Sequence, residues 1–337
     1  MGMKYNIAVV GATGIVGLEL LKILSERKFP VGELRLFASA GSVGKFIKFK
    51  SSRFKVQGIN NESFKDIDIA FFAVDGSISK KWAPIAVKSG AVVIDKSSAF
   101  RMDKNVPLVI PEINAQAIKP YHRIIASPNC STTPLAMVLK PLNDYARVKR
   151  VVVSTYQSVS GAGLQAVQAL TEQTKQVLNL KSKILNLKSQ RFAFNAIPQI
   201  DSFGSDDYTG EETKMINETR KILNDYSIKI TATCVRIPVY CGHSESVNIE
   251  TARPITVAQV RNLLSRAKGI KVMDNPAKGV YPMPINVAGK DEVFVGRIRK
   301  DPSVRNGINL WLVSDNLRKG AALNAVQIAE YIISSNK

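Results

Sequence analysis

The 337-residue chain is poor in several things that would have set its class. Its three cysteines, Cys130, Cys234 and Cys241, are too few for a disulfide framework, so the composition points to a reducing cytoplasm. No run of about eighteen apolar residues occurs, which argues against a transmembrane helix. The N-terminus enters an apolar strand without a basic region and signal core, so no export is expected. There are only two histidines, His122 and His243, and no CxxC pair. Cys234, Cys241 and His243 therefore make a poor zinc set, and no metal site is expected. The chain also lacks an arginine-rich tract and a basic stripe interleaved with aromatics. The net charge of +20 is compatible with nucleic acid, acidic lipid, or simply a basic proteome and an anionic substrate; of these, specific nucleic-acid binding is not expected.

What is present is organised around Ile124–Leu142: a short apolar strand, a Ser-Pro-Asn turn, and Cys130 at the mouth of an apolar helix. Ser131, Thr132 and Thr133 offer a cap, Pro134 suits a first turn, and Leu135, Val138, Leu139 and Leu142 share one face. A thiol at a helix N-terminus is more acidic and nucleophilic than a free one. The competing reading is that Cys130 is a small buried residue.

The chain is long enough for about two domains. Strand Tyr5–Val10 runs into Gly11-Ala12-Thr13-Gly14-Ile15-Val16-Gly17 and a helix to Leu24. Such a glycine-rich strand-to-helix turn admits a pyrophosphate against the backbone and the helix N-terminus. The next strand, Leu34–Ala38, ends in Ser39, Ala40, Gly41 and Ser42, with Lys45 beyond. Hydroxyls and a cation without an acidic residue suit the 2′-phosphate of NADP rather than the free ribose of NAD; the alternative is a solvated polar loop. Strand Ile67–Val74, a helix Ser77–Lys88 with a kink or break expected at Pro84, and strand Ala91–Asp95 continue the alternation. The pattern is α/β: a doubly wound parallel sheet of Rossmann type. Arg101 follows in a loop at the carboxyl end of that sheet, where ligands bind, although a loop arginine alone is more often solvated.

A β-branched strand, Val148–Gln157, opens the second, α+β domain, followed by the Tyr156–Gly163 glycine turn and a helix Leu164–Leu178. The lysine-rich stretch 175–191 repeats LNLKS seven residues apart and suggests an amphipathic surface or a subunit contact. Thr209–Asn224 reads as a capped helix with Glu211 and Lys214 on one face. Strands Ile228–Ile237 and Ser246–Thr251 flank His243, which stands next to a glycine at a strand end. A C-terminal helix, Leu317–Ile333, shows an alanine-rich face expected to pack back on the first domain. The boundaries drawn are 1–128 with 316–337 for cofactor binding, and 129–315 for catalysis and dimerisation.

Eight stretches, GATGIVG (Gly11), SSAFRMD (Ser97), VPLVIPEIN (Val106), SPNCSTTPL (Ser127), YQSVSGAG (Tyr156), EETKMINETRKIL (Glu211), CVRIPVYCGHSESV (Cys234) and SDNLRKGAALNAVQIAE (Ser314), make the chain resemble the aspartate-β-semialdehyde dehydrogenases over its whole length. The resemblance implies reduction of L-aspartyl-β-phosphate by NADPH to the semialdehyde and phosphate, toward lysine, threonine and methionine. It implies Cys130 as the nucleophile that becomes a thioacyl, His243 as acid/base and Gln157 as orienter of the acyl group. Asn129 sits beside the nucleophile, Arg101 and Lys214 hold phosphate, Arg236 the substrate carboxylate and Glu211 its amino group. Gly11, Thr13, Gly14, Ile15 and Val16 would meet the cofactor phosphates, Ser39, Gly41 and Ser42 its adenosine side, and Ser160, Gly161 and Asn316 its nicotinamide side. A homodimer or a tetramer of dimers is implied. Related sequences often have arginine where Gly41 stands, which weakens the case for strict NADP use. The nearest rival, N-acetyl-γ-glutamyl-phosphate reductase, typically has Gly-Cys-Tyr-Pro around its cysteine, unlike Asn129-Cys130-Ser131. A catalytically inactive dinucleotide sensor would have no reason to keep Cys130, Gln157, Arg236 and His243 together.

Overall fold

In the computed structural model, which describes residues 3–178 and 191–335, the chain forms two compact units. One comprises Met1–Asn129 and Gly320–Lys337; the other is Cys130–Lys319. The passage back to the first unit thus lies at Gly320, four residues beyond the position drawn from the sequence. A π-helical turn, Arg318–Ala322, spans it.

The first unit is built on a seven-stranded sheet of order β3-β4-β2-β1-β5-β6-β7. Its strands are β1 (Tyr5–Val10), β2 (Val31–Phe37), β3 (Phe46–Phe49), β4 (Ser52–Gln57), β5 (Ile69–Phe72), β6 (Val92–Asp95) and β7 (Ile124–Ala126). All pairings are parallel except the β3–β4 hairpin. β5 and β6 are buried along almost their whole length, as a strand covered on both faces must be. The connections are α1 (Ile15–Glu26), α2 (Gly76–Lys88) and the single turn α3 (Pro111–Asn114). Of the kink or break expected at Pro84, the break does not occur: α2 continues through it. Proline forfeits one helical hydrogen bond there, while its neighbours Ala83 and Ala86 are fully buried in the core and hold the helix in place.

The C-terminal helix, Leu323–Ser335, completes this unit. Ala322, Leu323, Ala325, Val326, Ile328 and Ala329 enter one core with Ile7, Val9, Leu20, Leu24 and Leu36. Asn324, the polar residue on this apolar stretch, is fully buried and donates to Val109 O and Ser127 Oγ, both at 2.9 Å. Lys96 Nζ donates to Ser127 Oγ (3.3 Å), Pro128 O (3.0 Å) and Gly320 O (3.2 Å). The two side chains therefore pin the Ser127–Pro128 segment that leads to Cys130.

The second unit begins with α4 (Thr132–Ala146) and continues through β8 (Val148–Gln157), α5 (Leu164–Leu178), α6 (Gly210–Leu223), β9 (Lys229–Arg236), β10 (His243–Thr251), α7 (Val257–Arg266), β11 (Ile270–Val272), α8 (Pro284–Val287), β12 (Val293–Asp301) and β13 (Gly307–Ser314). Its sheet is mixed, in the order β11-β12-β13-β10-β8-β9. β10 begins at His243, three residues before the start read from the sequence. Most of the LNLKS stretch lies outside the described residues. α6 has the expected cap: Thr209 Oγ1 accepts from Glu212 N (3.3 Å) and Glu212 Oε2 from Thr209 N (2.7 Å), a reciprocal capping box. The same carboxylate also accepts Cys234 N at 2.9 Å, which ties α6 to β9.

Candidate active site

In the first unit, β1 lies between β2 and β5, so the chain order reverses there and opens a crevice at the carboxyl ends of the strands. A cleft of about 470 Å³ occupies that place, lined among others by Gly11, Thr13, Gly14, Ser39, Val74 and Asp75. Gly11 takes φ +87°, and a Cβ on it would stand 2.2 Å from Ala73 O; one on Gly17 would stand 2.2 Å from Gly11 O. Neither position admits a side chain: Gly11 lets the turn lie against the end of β5, and Gly17 lets α1 pack closely on the turn. Gly14 caps α1, with Ile15 and Val16 as its first residues. Thr13 Oγ1 reaches Ser42 Oγ at 3.4 Å, which joins the glycine turn to the loop after β2. Ser39, Gly41 and Ser42 sit in or next to a short exposed turn, and a Cβ on Gly41 would meet nothing within 4 Å.

Asp95 is fully buried at the end of β6 and accepts from Ser79 Oγ and Ser97 Oγ, both at 2.7 Å. These bonds fix the loop that carries Arg101. Arg101 is buried rather than solvated, and its Nη2 donates to Lys96 O at 2.6 Å. Asn129 is buried too and ends this part of the first unit, one residue before Cys130.

In the second unit, β8 and β9 end at Gln157 and Arg236, β10 begins at His243, and β13 ends at Ser314. Register pairs Gln157 with Arg236 and His243 with Ser314, so all four stand at one end of the sheet. Gln157 Oε1 accepts from Thr155 Oγ1 (2.9 Å), and its Nε2 donates to Glu211 Oε1 (3.1 Å). Lys214 Nζ lies 3.4 Å from Glu211 Oε2 and 2.8 Å from Asp201 Oδ2, and that hydrogen bond holds Asp201 below the usual carboxylate range. Arg236 Nη1 donates to Ser158 O at 2.7 Å. Burial lowers the affinity of its guanidinium for the proton, and the charges of Cys130 and Glu211 oppose that lowering only in part.

Cys130 is half-buried just ahead of α4, whose first turn is Thr132, Thr133 and Pro134 with Ser131 before it. The expected hydroxyl cap does not form: Ser131 makes no side-chain cap bond. Cys130 thus directly precedes the N-cap of α4 in the chain, at the end of the helix where the dipole is positive. The other two cysteines are held as thiols. Burial, aided by the charge of Glu211, pushes Cys234 far up, and burial with the charge of Asp315 pushes Cys241 up to about 12.

His243 is buried and neutral, its proton affinity lowered well below the ordinary imidazole value by burial and then by Arg236. Its Nδ1 receives Ser158 N–H at 3.0 Å and lies 3.0 Å from Ser158 Oγ. Asn316 Oδ1 accepts from Ser158 Oγ (3.1 Å), Ser160 Oγ (3.2 Å) and Gly242 N (2.9 Å). A Cβ on Gly161 would stand 3.0 Å from Arg236 Nη1 and 3.1 Å from His243 Nε2, so this glycine keeps the working edge of both side chains open. Ser158, which sequence reasoning passed over, touches Arg236, His243, Ser160 and Asn316. Its only signal was its place within the Tyr156–Gly163 turn.

One further buried acid shares the face: Glu245 on β10, in register with Thr155. Both carboxyl oxygens are buried without hydrogen-bond partners among the described residues, and burial drives its proton affinity well above the usual carboxylate range. The folded state therefore binds a proton here that the unfolded chain releases. Its stability contribution is fully present below about pH 4.5 and is lost as pH rises toward the raised folded value. Glu245→Gln, which keeps the shape without the titration, is expected to raise the melting temperature at pH 8 more than at pH 5. Equal shifts at both pH values in thermal melts would show that Glu245 is not held protonated.

Two family models match the chain: the semialdehyde dehydrogenase NAD-binding domain over residues 6–121 and the semialdehyde dehydrogenase dimerisation domain over residues 139–319. Aspartate-semialdehyde dehydrogenase of Aquifex aeolicus is 54% identical, covering 98% of each chain. The crystal structure of aspartate semialdehyde dehydrogenase II from Vibrio cholerae complexed with ASA superposes with a TM-score of 0.94 at 47% identity over 99% of each chain. That of aspartate semialdehyde dehydrogenase with NADP from Candida albicans gives 0.77 at 26% identity, again over 99% of each.

Proposed function

Because the chain belongs to the aspartate-semialdehyde dehydrogenase family, we propose that it reduces L-aspartyl-β-phosphate to aspartate 4-semialdehyde with release of phosphate, in the biosynthesis of lysine, threonine and methionine. The observation that supports this most is the cluster in the second unit: Gln157, Arg236 and His243 at one sheet end, in the same unit as Cys130.

Cys130 attacks the acyl carbon, the carbon–oxygen bond to phosphate breaks, and a thioester remains. A thioester accepts hydride far better than a carboxylate does. Arg236 is assigned the substrate carboxylate, for which its planar fork is suited. Glu211 is assigned the amino group, Gln157 the acyl oxygen region, and Arg101 and Lys214 the phosphate. Asn129 adjoins the nucleophile in sequence. His243 presents Nε2, the ring nitrogen not engaged by Ser158, to the reacting atoms.

The first unit binds a nicotinamide dinucleotide, which supplies the hydride when bound. The tight turn at Gly11 and the N-terminus of α1, which Gly17 lets pack closely on that turn, suit its pyrophosphate, and Thr13, Gly14, Ile15 and Val16 are placed along that turn. Ser39, Gly41 and Ser42 are assigned its adenosine side, and Ser160, Gly161 and Asn316 its nicotinamide side. We assign NADP as the preferred form, on the hydroxyls and the lack of an acid after β2. The open space at Gly41 makes a prediction: Gly41→Arg should fit without displacement and favour NADPH over NADH by a further 5- to 30-fold or so, about 1–2 kcal/mol for a charge-assisted contact. An unchanged ratio of kcat/KM for the two cofactors would place the 2′-phosphate elsewhere.

A homodimer, through the second unit, and a cytoplasmic location complete the reading; light scattering tests the former. The functional test follows reduced-cofactor formation from aspartate semialdehyde and phosphate, beside N-acetylglutamate semialdehyde. Turnover with the aspartate compound alone is expected. Turnover only with the other aldehyde, or with neither, would overturn the proposal.

A further inference from the structure

An ammonium group carries three hydrogens, so one lysine set among oxygens can tie together segments that are far apart in the chain. Lys96, the first residue after β6, does this. Its Nζ donates to Ser127 Oγ at 3.3 Å, to Pro128 O at 3.0 Å and to Gly320 O at 3.2 Å. Pro128 stands one residue before the chain leaves the first unit at Asn129, and Gly320 is where it returns. The exit and the return are thus held on one nitrogen.

The same residue holds Arg101 through its other polar group. Lys96 O accepts Arg101 Nη2 at 2.6 Å. The backbone around Lys96 is itself fixed. Its amide donates to Phe72 O at 2.9 Å and continues the β5–β6 ladder. Asp95 before it is fully buried and accepts from Ser79 Oγ and Ser97 Oγ, both at 2.7 Å. Ser97 after it is buried and donates its amide to the same carboxylate at 3.1 Å. Ser127 N donates to Asp95 O at 2.8 Å. The loop that carries Arg101 and the segment that runs into Cys130 are therefore both anchored on residues 95–97.

The chemistry makes the distance between those two matter. The acyl carbon that Cys130 attacks and the phosphorus assigned to Arg101 are joined through a single oxygen. Nucleophile and anion clamp must accordingly keep one separation, and a misplacement of about 1 Å can cost on the order of 100-fold in rate.

We propose that Lys96 is a positioning residue that sets the separation between Arg101 and the segment carrying Cys130, with its carbonyl on the first and its ammonium on the second. This rests on the functional reading above and deepens it. The role belongs to the step in which phosphate and sulfur exchange on the acyl carbon. In the direction of phosphate uptake, the semialdehyde first adds to the Cys130 thiolate, hydride passes from that carbon to the cofactor, and a thioester is left. A phosphate oxygen then attacks the thioester carbon, the carbon–sulfur bond breaks, and its electron pair returns to sulfur as thiolate. Only this second step uses Arg101. Cys130 leads into α4, whose Leu135, Ala136, Val138 and Leu139 are fully buried, so the thiol keeps its own support when Lys96 is changed.

The test runs the enzyme in that direction with Lys96→Met, which keeps the length of the side chain and removes the ammonium. The KM for phosphate is expected to rise by about tenfold or more, while the KM values for semialdehyde and cofactor stay within about threefold. The burst of reduced cofactor formed without phosphate should likewise keep its rate. An unchanged phosphate KM, or a burst slowed as much as turnover, would overturn the proposal, since a general loosening of the fold acts on both steps alike.

Lys96→Arg separates position from charge. It keeps the cation but offers a planar fork in place of the three-way geometry of an ammonium, so the phosphate KM should still rise by roughly threefold or more. A parent-like value would show that Lys96 acts on phosphate by charge alone and would overturn the proposal; this variant also decides the matter if Lys96→Met fails to fold. Lack of turnover by the parent enzyme with semialdehyde and phosphate would overturn the functional reading and this proposal with it. Normal turnover by the parent beside an unaltered phosphate KM in the variants would overturn the proposal alone.

Discussion

Cys130→Ser is expected to fold with an unchanged melting temperature and to lose turnover by at least roughly 10³-fold, as nucleophile replacements do. A serine hydroxyl is close in size to the thiol, and the site is only half-buried, so packing changes little. The chemistry changes more. At neutral pH a helix N-terminus and an adjacent guanidinium can hold a thiolate, whereas an alkoxide stays out of reach without a strong base. The ester it would form is also a poor hydride acceptor beside a thioester. Single-turnover measurements with aspartyl phosphate check both halves: phosphate release should slow, and no thioacyl enzyme should accumulate. Wild-type enzyme treated with a thiol alkylator at pH 7 should take up one label, at Cys130, because Cys234 and Cys241 are held as thiols by their surroundings. Turnover within tenfold of wild type in Cys130→Ser would rule out the thioacyl route.

Arg236→Lys keeps the charge and is still expected to cost about 2–3 kcal/mol in kcat/KM, roughly 30- to 150-fold. The guanidinium uses Nη1 on Ser158 O and leaves its remaining N–H groups for a planar, two-point grip on a carboxylate. An ammonium offers one compact centre and cannot serve both partners in that geometry. The same change loosens Ser158, so the loss should appear in KM through the substrate and in kcat through the misaligned ring. A change confined to kcat, with the semialdehyde KM unaltered, would remove the substrate carboxylate from Arg236.

The local elements were the part of this molecule most legible in sequence. β1 and β8 lie at the residues their apolar runs mark, and α5 spans the residues its pattern marks. The Thr209 cap and the glycine turn likewise follow from rules that operate over a few residues. At Pro84 the short-range rule allowed a break that does not occur, because residues on either side of it are buried in the core. Cys130, Gln157, Arg236 and His243 were each visible as types of residue, and Asn316 through the resemblance. What joins them was not: Ser158 and Asn316 are separated by 158 positions, Ser158 and His243 by 85. No periodicity or spacing signals a bond across such distances, and the direction of Ser158 N–H is a property of the folded turn after β8. The role of the buried Asn324 on the alanine-rich helix was illegible for the same reason; its partners, Val109 O and Ser127 Oγ, come from remote segments.

The helix that returns at Gly320 sets an order of events during synthesis. The core around Ile7, Leu20 and Leu36 cannot close until Leu323, Val326 and Ile328 exist, and these leave the ribosome only after the whole of the second unit. The continuous segment from Cys130 to Lys319 is available earlier. At roughly 5–20 residues per second, the nascent first unit waits on the order of ten seconds or more with that apolar surface uncovered. A nascent chain stalled before residue 320 should therefore be a strong client for chaperones, and protease should cut its first 129 residues while sparing the segment that follows.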